Sequence, residues 1–198
     1  KESFAALNLI YPLLMMLGAL GFMFGTGGTA LVAKTMGEGD DKRARGLFSL
    51  VIYVTLGVGI ACGVACLVIV RPVGIAFGAT GTLLEECVVY GGILAFSLPF
   101  LMLQEAFQSF LTAAGKPKVG LAIIVAAGFT NIALDALFIV GFGWGLAGAA
   151  AATAASEFVG GGIPLIYFAC KNESSLRLGR PVADLRALGR VCANGSSE

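Results

Sequence analysis

Five apolar stretches, each longer than the ~20 residues that an α-helix needs to cross the hydrocarbon core of a bilayer, decide what this chain can become. They run Phe4–Ala33, Gly46–Val70, Cys87–Leu111, Val119–Phe142 and Leu146–Cys170. Inside lipid every backbone polar group needs a partner within the protein, which leaves helices and closed barrels. Barrel strands would be about half as long and would alternate polar with apolar residues; these runs do neither. The expected fold class is therefore all-α, a polytopic membrane protein whose residues 1–170 form a bundle of five transmembrane helices. Only 13% of residues are charged, against ~25% in soluble domains, so the solvent is the lipid bilayer. A net charge of +1 gives no reason to expect a nucleic-acid partner. The five cysteines form no CxxC pair and have no histidine to join as metal ligands. They read as small packing residues.

Basic residues collect on the cytoplasmic side of membrane proteins. Lys34, Lys42, Arg43, Arg45, Lys116, Lys118, Lys171, Arg177, Arg180, Arg186 and Arg190 fall on one side of the five spans, and Lys1 and Arg71 on the other. Loops 34–45 and 112–118 and the tail 171–198 are thus expected in the cytoplasm, with the bundle in a cell (inner or plasma) membrane. The first span then runs from outside to inside. At least one helix is expected before it, and the chain reads as a piece of a larger protein. The segment Gly37-Glu-Gly-Asp40 lacks the strand and pattern of a phosphate loop. Nor can it be an intramembrane protease motif, because Asp40 stands among surface charges; Asp40 or Asp41 is expected to cap the next helix.

Small residues set how the spans pack. Gly21 with Gly25, and Gly59 with Gly63, form GxxxG pairs that let helices approach closely. In the fifth span Gly145, Ala149 and Thr153 make one small-residue row, and Gly148, Ala152 and Ser156 another. Pro12, Pro99 and Pro164 are kink points. In the tail, Leu185, Leu188 and Cys192 share one helical face and Arg186 and Arg190 another, which predicts a short helix lying at the surface.

The informative residues are the polar ones inside the membrane. An aspartate at mid-span costs about 2.5 to 3.5 kcal/mol, so its presence points to function. Asn131 and Asp135 lie four apart in an otherwise apolar run, on one helix face about 6 Å apart along the axis. The amide oxygen and the carboxylate suit a hard cation such as Na⁺, or a proton shared with a cationic substrate. Glu157 lies near mid-span in the fifth helix. Glu105 and Gln104 lie toward the inner end of the third, where they line a vestibule or snorkel to water. All three are further cavity or coupling candidates.

Three segments carry a resemblance: Phe107-Gln-Ser-Phe-Leu-Thr-Ala-Ala-Gly-Lys-Pro-Lys118, then Asn131-Ile-Ala-Leu-Asp-Ala-Leu-Phe-Ile139, then Gly145-Leu-Ala-Gly-Ala-Ala-Ala-Ala-Thr-Ala-Ala-Ser156. Together with Gly27-Gly-Thr-Ala-Leu31 and Gly37-Glu-Gly-Asp40, they resemble the multidrug and toxic compound extrusion (MATE) transporters in order and spacing. The resemblance implies two facing six-helix lobes, of which these five helices would be the second to sixth of the first lobe. It implies export of small organic cations of amphipathic character in exchange for Na⁺ or H⁺, with no cofactor beyond the coupling ion. Asn131 and Asp135 match the family's cation-site amide and carboxylate, and Thr153 its hydroxyl partner. The tail would be the interlobe linker, reaching the start of the second lobe; the family's first helix, which often carries an aspartate, lies outside this chain. Glu157 stands where the family more often has glutamine. Phe138 and Phe142 either line the lobe interior, face lipid or serve packing. Two rivals differ in chemistry: a flippase of lipid-linked sugars, which would want a basic cavity, and a membrane enzyme using Asp135 and Glu157 as paired acids.

Overall fold

The computed structural model describes residues 2–170, 174–182 and 184–197. Five helices in it are long and apolar enough to cross a membrane. They are α1 (Glu2–Gly37), α2 (Asp41–Ala76), α3 (Thr82–Ala113), α4 (Pro117–Asp135), continued by a π-helical segment over Ala136–Gly141, and α5 (Gly145–Ala169). A sixth, shorter helix, α6 (Leu185–Gly195), follows in the tail. The chain alternates direction at each turn. The α1–α2 and α3–α4 turns and the end of α5 therefore share one end of the bundle, the end that carries most of the basic residues.

The helices overrun the apolar runs, because a helix ends at caps and turn residues rather than where hydropathy falls. Asp40, not Asp41, caps α2: its carboxylate accepts the Arg43 amide at 3.0 Å, so α2 begins five residues before the apolar run and continues through Arg71 and Pro72. Gly115, at φ 69°, makes the turn into α4, which starts on Pro117. Proline suits a first helical turn, where its missing N–H is not needed. The fourth span departs from the expected regular helix. After Asp135 the backbone widens to π geometry: Phe142 N–H donates to Leu137 C=O at 2.9 Å and Trp144 N–H to Phe138 C=O at 2.9 Å. Such π turns concentrate at functional sites.

Helix α3 is the axis of the bundle, because small residues let its neighbours reach its backbone. Gly21 of α1 lies on the backbone of Met102, and Gly25 on that of Ala106 at 2.7 Å for an added Cβ. Gly59 of α2 sits against Pro99 and Gly63 against Ala95, so the two GxxxG pairs clasp the same helix. Gly161 of α5 meets the Phe100 backbone. A methyl group at any of these positions would collide with main chain and force the helices apart.

Two apolar clusters fill the bundle. Toward the basic end, Phe48, Phe107, Phe110 and Phe168 are fully buried and pack ring against ring, with Phe48–Phe110 at 4.8 Å and Phe107–Phe168 at 5.5 Å. Toward the other end lie Ile10, Leu14, Cys66, Val70, Cys87, Tyr90 and Leu94. Between the clusters the interior turns polar.

The tail folds back onto the bundle. Residues 174–182 form a strap across α2, and α6 packs on α1. The packed face of α6 differs from the sequence expectation: Ala187, Val191 and Gly195 are buried, Leu188 and Cys192 flank them, and Leu185 is 84% exposed. The cause is contact distance. Gly27 of α1 touches the backbone at Val191 and Gly195, and Gly195 touches the Met23 carbonyl, so only small residues fit this seam. Lys171 lies outside the described residues. Of the roles open to Phe138 and Phe142, the structure shows packing. They stack with each other at 6.1 Å, and Phe138 stacks on Trp144 at 5.1 Å, beside the π turn.

Candidate cation site

Asn131 and Asp135 emerge from the last two turns of α4, both half-buried, and Asn131 faces α5. The Asn131 amide donates from Nδ2 to Thr153 Oγ1 at 3.4 Å. With Nδ2 so occupied, Oδ1 is left to accept a proton donor or a cation. Asp135 Oδ1 is buried without a hydrogen-bond partner among the described residues. A buried carboxylate oxygen left unmatched is costly, so this oxygen is suited to a proton or cation. Asn131 and Thr153 thus meet across two helices, and Asp135 lies one turn further along α4 from Asn131.

Glu157 lies one turn beyond Thr153 on α5 and is 9% exposed, and its Oε2 is also buried without a partner. Ser97 of α3, also buried, donates its hydroxyl to Leu94 C=O at 3.2 Å and stands near that carboxyl group. Glu157 and Thr153 line a cavity of about 50 Å³ together with Tyr11, Leu14 and Met15 of α1 and Leu94, Leu98 and Leu101 of α3. That volume accommodates a water molecule or a bare cation. The Tyr90 hydroxyl of α3 lies within electrostatic range of Tyr11, Glu157 and Asp135 together. Thr153 is therefore shared: it joins the Asn131–Asp135 pair on one side to the Glu157 cavity on the other.

Tyr11, Tyr90 and Ser97 were not singled out from sequence. A signal existed: Tyr90 and Ser97 are seven apart, two turns on one face of an apolar span. Gln104 packs its amide against Gly160 of α5, one turn from Glu157 toward the basic end. Glu105 is half-buried further along α3 and no hydrogen bond ties it to the cluster.

A bundle of five membrane-spanning helices with a polar cluster at mid-depth defines a multi-pass α-helical membrane protein. Residues 1–137 match the model of the MatE family, and the chain belongs to that family. The multidrug export protein MepA of Staphylococcus haemolyticus is 31% identical over 170 residues, which are 86% of this chain and 38% of that protein. The Staphylococcus aureus protein of the same name is 29% identical over 185 residues, 89% of this chain and 40% of that one. This chain thus spans about two fifths of the length of those curated relatives. Among solved structures, a multidrug resistance MATE family transporter of the MOP superfamily in its outward-facing conformation superposes with a TM-score of 0.92. The identity is 23%, covering 99% of this chain and 44% of that one. An inward-facing conformation of such a transporter gives a TM-score of 0.92 at 23% identity, over 98% of this chain and 45% of that one.

Proposed function

We propose that this chain forms the first lobe of a secondary active multidrug transporter that exchanges cationic, amphipathic compounds for Na⁺ or H⁺ by alternating access. Asp135, with the Asn131 carbonyl and Thr153 hydroxyl oxygens, holds the coupling ion; Glu157, across Thr153, is a second acid in reach of the same site. The reading places the bundle in the cell membrane with loops 34–45 and 112–118 and the tail on the cytoplasmic side. The tail links to a second lobe, and a first helix completes the site.

The observation that carries this reading is the Asn131–Thr153 contact, one helical turn from a buried Asp135 oxygen without a hydrogen-bond partner among the described residues. Oxygen donors of this kind suit hard cations and protons. The relatives' name, multidrug export protein, supports a transporter over a membrane enzyme. The lobe's equal likeness to outward-facing and inward-facing structures supports a lobe that moves as one body. A flippase for sugar pyrophosphates would call for cations beside the polar cluster, and its charged members are acids.

The test uses the intact protein in pump-deficient bacterial vesicles, with a fluorescent organic cation as substrate and an imposed pH or Na⁺ gradient. Wild type is expected to export the dye under one of the gradients, and Asp135→Asn to lose at least ~10-fold of that rate. Coupled export that survives Asp135→Asn would overturn the site.

A further inference from the structure

The tail strap builds a second site, at the basic end of α2. Residues 174–182 are held there by four specific bonds. Arg45 Nε donates to Ser175 C=O at 2.9 Å, and the Gly179 amide donates to Ser49 Oγ at 2.9 Å. The Val182 amide donates to Gly46 C=O at 3.2 Å, and the Tyr53 hydroxyl to Gly179 C=O at 3.4 Å. Gly46 has no Cβ because Val182 occupies that space. The strap and the first turns of α2 flank an open cavity of about 580 Å³ whose charged lining is Lys42, Arg45, Arg177, Arg180 and Asp41. Among the described residues none of these four cations is salt-bridged to a carboxylate; Arg43, facing away, takes that role with Asp184 at 3.7 Å. Four cations held around one cavity with one acid attract a phosphoryl anion, and guanidinium groups bind phosphate oxygens in pairs.

What lies next to the cavity selects the anion's source. Tyr53 stands two turns along α2, about 12 Å from Arg45, where tyrosine marks the polar–apolar boundary of a membrane. Beyond it Ile60, Val64 and Leu67 continue an exposed apolar stripe at helical spacing, each more than half exposed. A headgroup in the cavity would therefore lay its acyl chains down this stripe. We propose that the strap–α2 cavity is a binding site for an anionic glycerophospholipid, its phosphate held by Lys42, Arg45, Arg177 and Arg180. Binding adds to the bonds that hold the strap on α2 and ties the tail to the membrane surface. The site is separate from the polar cluster at mid-membrane and is tested without transport.

The experiment is native mass spectrometry of the intact protein in detergent, titrated with dioleoyl phosphatidylglycerol or dioleoyl phosphatidylcholine. Inorganic phosphate at matched concentration serves as competitor. Phosphatidylglycerol is expected to be retained over phosphatidylcholine, and inorganic phosphate not to displace it. Arg177→Gln with Arg180→Gln removes two cations and is expected to weaken phosphatidylglycerol binding by at least ~10-fold. Arg186→Gln with Arg190→Gln removes the same charge from exposed positions on α6 and is expected to leave it unchanged. Lys42→Gln, on α2 rather than the strap, reports independently should the strap variant unfold. Equal retention of both lipids, equal loss in the α6 variant, or displacement by inorganic phosphate would each overturn the assignment.

Discussion

At the scale of single residues, the side chain with the most connections in the polar cluster is Thr153. It accepts from Asn131 and lines the Glu157 cavity, so it stands between the Asn131 amide and the Glu157 acid. A serine there keeps the oxygen, and a valine keeps the shape without it. Interhelical hydrogen bonds in membranes contribute about 0.6 to 2 kcal/mol. Thr153→Val is therefore expected to lower the midpoint of thermal unfolding slightly while strongly weakening coupled export. Thr153→Ser retains both, as measured by melting in detergent and dye efflux in vesicles. If valine transports like wild type, the oxygen has no part in ion binding and Asp135 acts without it.

At the scale of elements, the seam between α1 and α6 depends on two glycines with no room for a Cβ. Gly27→Leu is expected to lift α6 from the bundle and expose its basic residues. Limited trypsin digestion should then cut at Arg186 and Arg190 several-fold faster than in wild type, since protease access follows local opening. Gly37→Leu is the control, because a side chain there meets nothing within 4 Å. Unchanged cleavage in Gly27→Leu would mean that α6 is held by its cap, where the Asp184 carboxylate accepts the Ala187 amide at 3.0 Å, and not by the glycine seam.

At the scale of the whole molecule, α3 is clasped by α1, α2 and α5 through glycine contacts that leave no room for a Cβ. Packed interiors resist continuous deformation, so the proposed transport cycle is expected to leave the packing of this lobe unchanged. Spin labels at Lys34 and Lys118, both exposed at the basic end, are expected to keep one distance distribution in the intact protein. That distribution should not change with pH or Na⁺, while a pair spanning the two lobes shifts. A change in the Lys34–Lys118 distance between those conditions would show that the lobe itself rearranges.

The amino-acid sequence alone determined the five spans, the common end for the basic loops, the GxxxG contacts and the shared face of Asn131 and Asp135. These are local properties, set by hydropathy over ~20 residues and by helical periodicity, and they need no knowledge of neighbours. Thr153 as the partner of Asn131 was legible through the family resemblance, because no spacing rule links residues 22 positions apart on separate helices. Only the tertiary structure decided which elements complete the cluster. Tyr11, Tyr90 and Ser97 join it because small residues bring α1 and α5 close to α3, and that packing follows from shapes matched across the bundle. The same holds for the strap and for the packed face of α6. Hydropathy favours Leu185 for a buried face, but the short distance to α1 admits Ala187, Val191 and Gly195 and turns Leu185 outward.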